Sequence, residues 1–522
     1  MNRLRRFMLN GALMAVVTLL IRSVSMAFNV YISNRIGAVA MGLFSLISTV
    51  YGFGITFATS GINLATTRIV AEALGDTSET KEKGVPPPKR HEINKILFRC
   101  VLYALFFSGI ATVVLFLFSS KIGFEILRDE RTVLPLKVLS LTFIPISVSS
   151  VLGGYFSAVR HVYKNAVTQI LGQGIRIFAC IGFLSVLGAH DTESACLAVI
   201  CGGALSELLS FFIGLALYLR ERKKGDATAS VSTGTQITKK ILSNALPLAL
   251  SAYMRSALVT IEHILIPIGL EKSGSSRDIS LAAYGTVGSM VFPLVLFPAA
   301  ISGAFAGLLI PEVAESYTIG DERRIKGIVS TVLETVLMFS IGCAGIIMCF
   351  SLRIGQTVYP EATDAGKYIM LIAPLIPVMY IDTAVDAMLK GMGEHVYSMV
   401  VNIIDALISV ILVAILLPRM GIMGYIVTVY FTEILNGVLS ITRLLIKSRV
   451  KTHTILWIGR PLACIVAATQ LVNLLLGKIL TIGNVWVLII ASSLLYVLFL
   501  IACRGIKIKN VINRVRYMLK SK

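Results

Sequence analysis

Two arginines lie inside long apolar segments, and the two segments resemble copies of one another. Arg22 and Arg255 are each flanked by apolar residues, and each is followed by a serine. A guanidinium near the middle of a bilayer costs at least about 3 kcal/mol, so it usually faces a polar cavity. Its planar fork stays protonated and donates two parallel hydrogen bonds, which suits an anion with several oxygens, such as a pyrophosphate. We therefore expect Arg22 and Arg255 to bind an anionic substrate.

Other ionisable residues in or beside the apolar segments are further candidates for the substrate cavity. Arg68, at the end of the second apolar segment, is a third candidate for substrate binding. Glu262 follows Arg255 by two helical turns and so lies on about the same helix face, with His263 next to it. This pair either tunes the cavity or exchanges a proton, or it only provides a counter-charge within the helix bundle.

Acidic residues form a second group in later apolar segments. Asp382, Asp386 and Asp405 lie close together in the sequence pattern, and Glu207 and Glu433 occupy corresponding segments of the two halves. Acids inside a membrane are costly, and they commonly mark ion or proton pathways. Asp382 and Asp386 are thus candidates for a cavity or a coupling-ion site.

The segments that carry these residues are membrane-spanning helices. Of the 522 residues, 56% are hydrophobic and only 15% are charged, and the mean hydropathy is +0.83. Apolar runs of about 20 residues, each long enough to cross a bilayer as a helix, recur about fourteen times. The sequence predicts an all-α polytopic membrane protein with spans at about 7–32, 40–63, 94–118, 132–157, 166–188, 194–219, 241–269, 281–310, 327–350, 365–389, 397–417, 420–446, 454–476 and 484–503.

The charge distribution predicts the orientation of these helices. Lysine and arginine concentrate in cytoplasmic loops, and most of the 48 basic residues fall on one side when both termini are placed inside. The net charge of +20 is then mainly a topology signal and a source of contact with anionic membrane lipids. It does not indicate a nucleic-acid partner.

Short motifs recur in the same order in the two halves of the chain, roughly 230 to 243 residues apart. Six helices therefore repeat as the next six, which predicts two lobes related by a pseudo-twofold axis along the membrane normal. The predicted domains are an N-lobe at 1–225, a C-lobe at 226–450, and two additional helices with a basic tail at 451–522. The matching pairs include Arg22-Ser23 with Arg255-Ser256, Val70-Ala71-Glu72 with Val313-Ala314-Glu315, and His161-Val162-Tyr163 with His395-Val396-Tyr397.

Catalytic and metal-binding patterns are absent from the sequence. It contains no phosphate-binding Walker loop, no zinc-protease motif and no nucleophile elbow. The eight cysteines lack metal-site spacing and are expected to be small core residues. We therefore expect a protein that is not an enzyme and needs no cofactor or metal, and that transports its substrate on a gradient or on substrate flux.

Several motifs resemble the stage V sporulation protein B branch of the multidrug/oligosaccharidyl-lipid/polysaccharide (MOP) exporter superfamily. The resemblance extends over nearly the full length. It rests on Asn10-Gly11-Ala12-Leu13, Arg22-Ser23, Asn34-Arg35-Ile36-Gly37-Ala38, Gly42-Leu43-Phe44, Ser60-Gly61-Ile62-Asn63, Arg68, Ala71-Glu72, Ile310-Pro311-Glu312-Val313-Ala314-Glu315 and Leu389-Lys390-Gly391-Met392-Gly393.

The resemblance implies a protein of the bacterial cytoplasmic membrane, related to the lipid II flippases, with a cationic cavity. It places substrate-binding arginines at Arg22, Arg68 and Arg255. The implied substrate is a polyprenyl-pyrophosphate glycolipid, moved by alternating access for spore cortex synthesis at the membrane around the forespore. Two alternatives remain: a cation-coupled multidrug antiporter, and a non-transporting scaffold for peptidoglycan synthases. The antiporter is disfavoured because no acid lies between Met1 and Glu72.

Overall fold

The computed structural model describes residues 3–82, 90–187, 191–222, 234–450, 455–476 and 484–503. Within these ranges the chain is almost entirely helical and forms no β-strand, which confirms the predicted all-α fold. The predicted basic tail after residue 503 lies outside the described residues.

Nineteen α-helices are found in the described ranges. Those of the first half are α1 (Arg3–Thr59), α2 (Ile62–Glu82), α3 (Arg90–Lys121), α4 (Val133–Ser140), α5 (Phe143–Ala158), α6 (Val162–Leu187), α7 (Thr192–Arg222), α8 (Gly234–Lys272) and α9 (Arg277–Gly285). The others are α10 (Phe292–Leu296), α11 (Ala299–Ile319), α12 (Glu322–Cys349), α13 (Ser351–Val358), α14 (Ala365–Ile372), α15 (Ile376–Gly391), α16 (His395–Met420), α17 (Ile422–Ser448), α18 (Arg460–Leu475) and α19 (Val485–Ala502).

The spans agree with the sequence prediction. Among the described residues, twelve helical segments are long and apolar enough to cross a membrane, and the bent pair α4–α5 adds a thirteenth. The first segment, Val17–Leu74, is 58 residues long and covers the predicted span 40–63 and residues 17–32 of the predicted span 7–32. The helix α1 itself begins at Arg3 and so includes the rest of that span. Each of the fourteen predicted spans therefore has a helical counterpart.

Helix α1 is divided at Gly37. Its 57 residues would extend about 85 Å as a straight helix, far more than one bilayer crossing requires. Gly37 adopts φ 79° and ψ 171°, which interrupts the helix and is accessible at low cost only to glycine. We call the two parts α1a, before Gly37, and α1b, after it.

Prolines divide several of the later spans. The segment predicted at 281–310 consists of α9, a π-helical stretch at 286–291, α10 and α11, with breaks near Pro293 and Pro298. Another break separates α14 from α15 near Pro374 and Pro377. Proline lacks the N–H that an intact helix needs, so each break leaves carbonyl groups to be paired elsewhere.

The chain forms two compact units, and the first comprises 1–28, 38–285 and 410–418. One buried hydrophobic cluster lies where α2, α3, α5 and α8 meet, with Ile62, Cys100, Val151 and Ala245 among its members. Small residues permit close approach, since Gly154 packs on the backbone and side chains of α2. Close packing of this kind is a principal source of stability between helices in a membrane.

The second unit comprises 29–37, 286–409 and 419–522. Two tyrosines donate to backbone carbonyls near its helix breaks: the buried Tyr380 to the Val295 carbonyl at 2.8 Å, and the half-buried Tyr430 to the Leu371 carbonyl at 2.6 Å. These bonds satisfy polar backbone groups that would otherwise lack a partner in the membrane. The lobes predicted from the repeat, 1–225 and 226–450, stay a prediction, because the two units are defined by the contacts of one conformation.

Candidate functional site

Arg22 lies in α1a with its side chain exposed on the protein surface. Its flanking Ser23 donates to the Leu19 carbonyl at 2.9 Å, a bond that keeps the serine within its own helix. Arg22 forms no ion pair or hydrogen bond with any residue that the structure describes. The guanidinium is therefore available to an external anion.

Helix α8 has two distinct polar faces, and the first packs against α1b. The hydroxyl of Tyr253 donates to the Ser60 hydroxyl at 2.5 Å. Ser256 contacts Thr56 at 3.4 Å between hydroxyl oxygens, and Thr260 donates to the Thr49 carbonyl at 3.4 Å. We call this line of contacts, completed by Ser45, His263 and Tyr284, the polar seam.

Arg255 lies on the other face of α8. The seam residues recur at helical spacing along one side, and Arg255 is rotated by about 100° from Ser256, away from that side. Its side chain is exposed and has no ion pair or hydrogen bond within the described part of the chain. Arg255 thus matches Arg22 in exposure and in lacking an internal partner, and both belong to the first unit.

Arg68 differs from these two arginines. Its Nε donates to Glu72 Oε1 at 2.9 Å, one turn further along α2, and 68% of its side chain is exposed. An exposed pair at this spacing contributes only a few tenths of a kcal/mol, so the pairing would not prevent binding of an anion. Arg68 keeps its predicted role as a proposal, although Glu72 compensates its charge.

Glu262 and His263 lie on different faces of α8, and they therefore have different neighbours. His263 Nδ1 lies 2.8 Å from the Tyr284 hydroxyl, which also accepts from Ser45 at 3.3 Å, so His263 is a member of the polar seam. Glu262 is half-buried and lies near enough to Tyr284 for an electrostatic interaction. His263 therefore faces a protein neighbour, and Glu262 remains a candidate for tuning the face that carries Arg255.

The predicted acidic group belongs to the second unit. Asp382 of α15 and Asp405 of α16 lie within electrostatic range of Glu433 of α17, so three helices contribute one carboxylate each. Asp386 is engaged differently, because it pairs with Lys390 one turn later at 2.5 Å. Asp382 is thus the better placed of the two predicted coupling residues.

Two helix hairpins are fastened by ion pairs at corresponding ends. In the first unit Glu221 of α7 accepts from Lys164 at 2.5 Å and lies 3.0 Å from His161. In the second unit the acid is on the other helix: Glu394, before α16, pairs with two basic residues of α17, Arg443 at 2.7 Å and Lys447 at 2.6 Å. The Lys447 and Arg443 bonds lower the pKa of Glu394 below its usual range. Each cluster joins the start of one helix to the end of the next helix along the chain, as a structural joint would.

The polar seam was not predicted from the sequence. Serine and threonine occur throughout the apolar segments, and no periodic signal separates those that bond across helices from those that bond back to their own helix, as Ser23 does. A weak signal was available in the helical spacing of Tyr253, Ser256 and Thr260 on one face of α8. The face opposite an exposed arginine is where such contacts would be expected.

The comparisons with known proteins agree with this arrangement. Residues 7–285 match the family model for polysaccharide biosynthesis proteins. The chain belongs to this family. Residues 273–415 also match the MatE family model, so most of the second half has a recognised relationship as well.

Relatives of this chain include two proteins from Bacillus subtilis (strain 168). Stage V sporulation protein B is 23% identical over 430 residues, which cover 80% of this chain and 79% of the relative. Lipid II flippase MurJ is 21% identical over 455 residues, which cover 79% of this chain and 80% of the relative. The resemblance to the MOP exporter superfamily is thereby confirmed.

Solved structures show the shared fold. One of the lipid II flippase MurJ in an inward closed conformation superposes with a TM-score of 0.70, covers 94% of this chain and 99% of that chain, and is 13% identical. An inward-facing MATE family transporter of the MOP superfamily has a TM-score of 0.61, covers 84% of this chain and 100% of that chain, and is 15% identical. The shared fold is that of a multi-pass helical membrane protein.

Proposed function

We propose that this protein is a flippase for an undecaprenyl-pyrophosphate-linked peptidoglycan precursor, lipid II, which it moves from the inner to the outer leaflet by alternating access. The observation that carries the proposal is the pair Arg22 and Arg255, which are exposed and have no internal partner among the described residues. Uncompensated arginines on membrane-spanning helices are stable only beside water, headgroups or an anionic ligand. A pyrophosphate is an anion that such a pair can hold with several hydrogen bonds.

The two ends of a lipid-linked sugar need different environments during transport. The polyprenyl tail remains in the bilayer, while the pyrophosphate and the sugar-peptide headgroup require a polar path. Arg22, Arg255 and Arg68 would bind the pyrophosphate along this path, and Glu262 on the face of Arg255 would limit the affinity so that the substrate is released. An outward-moving anion is assisted by an inside-negative potential by about 2.3 kcal/mol per charge per 100 mV.

The acidic group of the second unit supports coupling to a cation. Asp382 is in electrostatic range of a carboxylate from a neighbouring helix, and carboxylates that share a site favour binding of a proton or a cation. A coupling ion would add a second source of energy to the membrane potential. In this proposal Asp382 is the coupling residue, and Asp386 supports it through its pair with Lys390.

The cellular role proposed is synthesis of spore cortex peptidoglycan at the membrane around the forespore. It is supported by the similarity to stage V sporulation protein B. Peptidoglycan synthases, which consume the flipped precursor, would be the protein partners. The basic tail at 504–522, which could contact such a partner or anionic lipids, lies outside the described residues.

A reconstitution experiment tests the proposed substrate. The purified protein is placed in liposomes that contain fluorescent lipid II, and exposure of the label on the opposite leaflet is followed with a membrane-impermeant quencher. We expect flipping above that of empty liposomes, and faster flipping when a potential favours anion movement. Expulsion of a cationic dye against a cation gradient, without lipid II movement, would instead establish the antiporter. Binding of synthases with neither transport activity would establish the scaffold.

A further inference from the structure

A network of charged residues joins two loops of the first unit. Arg131, which follows the short loop after α3, contacts Asp129 at 2.8 Å and Asp278 of α9 at 3.0 Å. Arg277, at the start of α9, contacts Glu271 at 2.5 Å and Asp129 at 3.6 Å. The two arginines therefore connect the loop between α3 and α4 to the loop between α8 and α9.

The network is partly shielded from water at its centre. The Asp129 side chain is only 4% exposed, and those of Arg131 and Arg277 are 24% and 21% exposed. Arg277 also donates to the Leu127 carbonyl at 2.6 Å, which ties it to the backbone of the facing loop. Burial opposes ionisation of Asp129, but the hydrogen bonds from Arg131 and the charge of Arg277 outweigh it and lower its pKa. Ion pairs in this setting are worth more than fully exposed ones.

Helix α9, which begins at the second of these loops, touches α1b at a glycine of each helix. A methyl group added at Gly42 of α1b would collide with the Leu281 carbonyl of α9, and one added at Gly285 would collide with the backbone of Ala38 and Gly42. Backbones this close require residues without side chains on both helices. The beginning of α1b and the helix α9 are therefore pressed together next to the charged network.

The polar seam continues from this contact along α1b. Tyr284, which is fully buried, is bonded to Ser45 and to His263 just below the glycine contact. The ion network, the glycine contact and the seam thus form a continuous series of contacts, which runs from the two loops toward Tyr253 and Ser60. By the predicted topology, both loops lie on the outer side of the membrane.

We propose that the Asp129–Arg131–Arg277–Asp278 network is an outer latch, which ties the loop between α3 and α4 to the start of α9, the helix that packs on α1b, and which opens when the transporter exposes the seam to the outside. The inference rests on the proposed alternating access. The network, the glycine contact and the seam all involve α9. Only the charged network can be separated by water without leaving an unpaired polar group in the membrane. It is therefore the part that would break first and set the stability of the closed state.

The chain offers a matched control for this latch. Arg128 is in the same loop as Asp129 and is exposed, and it makes no ion pair with a described residue. Arg128→Gln therefore removes one positive charge, as Arg277→Gln does, from the loop that carries Asp129. It breaks none of the contacts of the network. Asp278, whose side chain is 63% exposed, is the latch member that can be changed with least risk to folding.

The test is the rate at which a seam cysteine is labelled. Ser45→Cys is introduced with Cys349→Ser and Cys503→Ser, which remove the two exposed native thiols. The protein in nanodiscs is then treated with a polar maleimide, which reaches both faces. We expect Asp278→Asn to accelerate labelling about threefold and Arg277→Gln about tenfold or more, while Arg128→Gln leaves the rate unchanged.

Equal labelling rates in Asp278→Asn, Arg277→Gln and Arg128→Gln would overturn the latch. If Arg277→Gln fails to give monodisperse protein, the milder Asp278→Asn decides alone. Because the readout is accessibility and needs no substrate, its result is independent of lipid II transport. A protein that opens its latch as expected but flips no lipid II would disprove the proposed substrate and leave the latch intact.

Discussion

Replacing Arg22 and Arg255 with glutamine, singly and together, tests the proposed substrate site most directly. Glutamine keeps most of the length of arginine and can still donate hydrogen bonds, but it has no charge. Because neither arginine bonds to a described residue, the substitutions remove no described intramolecular contact. The free energy of unfolding should therefore change by less than about 0.5 kcal/mol.

The expected loss of transport is larger than this change in stability. A hydrogen bond between charged groups contributes about 1.5 to 3 kcal/mol, which corresponds to about 10- to 100-fold in the binding of lipid II for each arginine. If both arginines hold one pyrophosphate, the double variant should lose less than the sum of the two single losses. The difference is the coupling energy, about 0.5 to 3 kcal/mol for groups that share a partner.

The assay compares four proteins in liposomes with fluorescent lipid II: the parent, the two single variants and the double variant. Arg99→Gln is the control, since Arg99 is also an exposed arginine of a membrane-spanning helix without a described ion pair, and it lies near the end of its helix. Thermal unfolding of each protein is measured in parallel. The control should flip lipid II at the parent rate.

Three results would refute the reasoning, each at a different step. Parent-like flipping in both single variants would show that these arginines do not bind the substrate. An equal loss in Arg99→Gln would show that any membrane arginine matters, without a specific site. Strictly additive losses from Arg22 and Arg255 would show that the two guanidiniums act on separate ligands or at separate steps.

Three further predictions concern other parts of the molecule. Gly42→Ala should slow any transport several-fold and lower the unfolding temperature, because the added methyl group meets the Leu281 carbonyl; parent-like values of both would contradict the close contact. Glu394→Gln should cost about 1 kcal/mol at pH 7, measured by unfolding. Because bonds from Lys447 lower the folded pKa of Glu394, this difference is present above the unfolded pKa of about 4.3 and disappears as the pH falls through the folded pKa. A difference that does not shrink as the pH is lowered would be inconsistent with the pairing. Asp382→Asn should abolish any dependence of flipping on a cation gradient while leaving its dependence on membrane potential, and an unchanged gradient response would remove Asp382 from the proposed coupling role.

The fold followed from sequence patterns that act over short distances. Apolar runs of bilayer length predicted the helices, and the breaks within them coincide with prolines such as Pro293, Pro298 and Pro374. The division of α1 at Gly37 lies between two predicted spans, where a glycine allows the chain to leave helical geometry. These features depend on local chemistry in a nonpolar solvent, which is why one sequence was sufficient to find them.

The candidate site was only partly accessible to the same reasoning. The cost of a membrane arginine singled out Arg22 and Arg255 from sequence, and the structure adds that neither is compensated by a described residue. The pairing of Arg68 with Glu72 could have been predicted from the sequence, because the two residues are spaced one helical turn apart. The separate roles of Glu262 and His263 were not, since they depend on which neighbouring helix each residue faces.

By itself the sequence determined that this is a multi-pass helical membrane protein of the MOP exporter superfamily. It also showed that a few ionisable residues lie in membrane-spanning segments, where a charge is energetically unfavourable. Only the tertiary structure decided which of those residues are paired, which hydroxyl groups join α8 to α1b, and how Arg131 and Arg277 connect loops far apart in the chain. The physical reason is that burial and helix periodicity act along the chain, whereas hydrogen bonds and ion pairs between helices depend on rotation and register that local patterns leave undetermined.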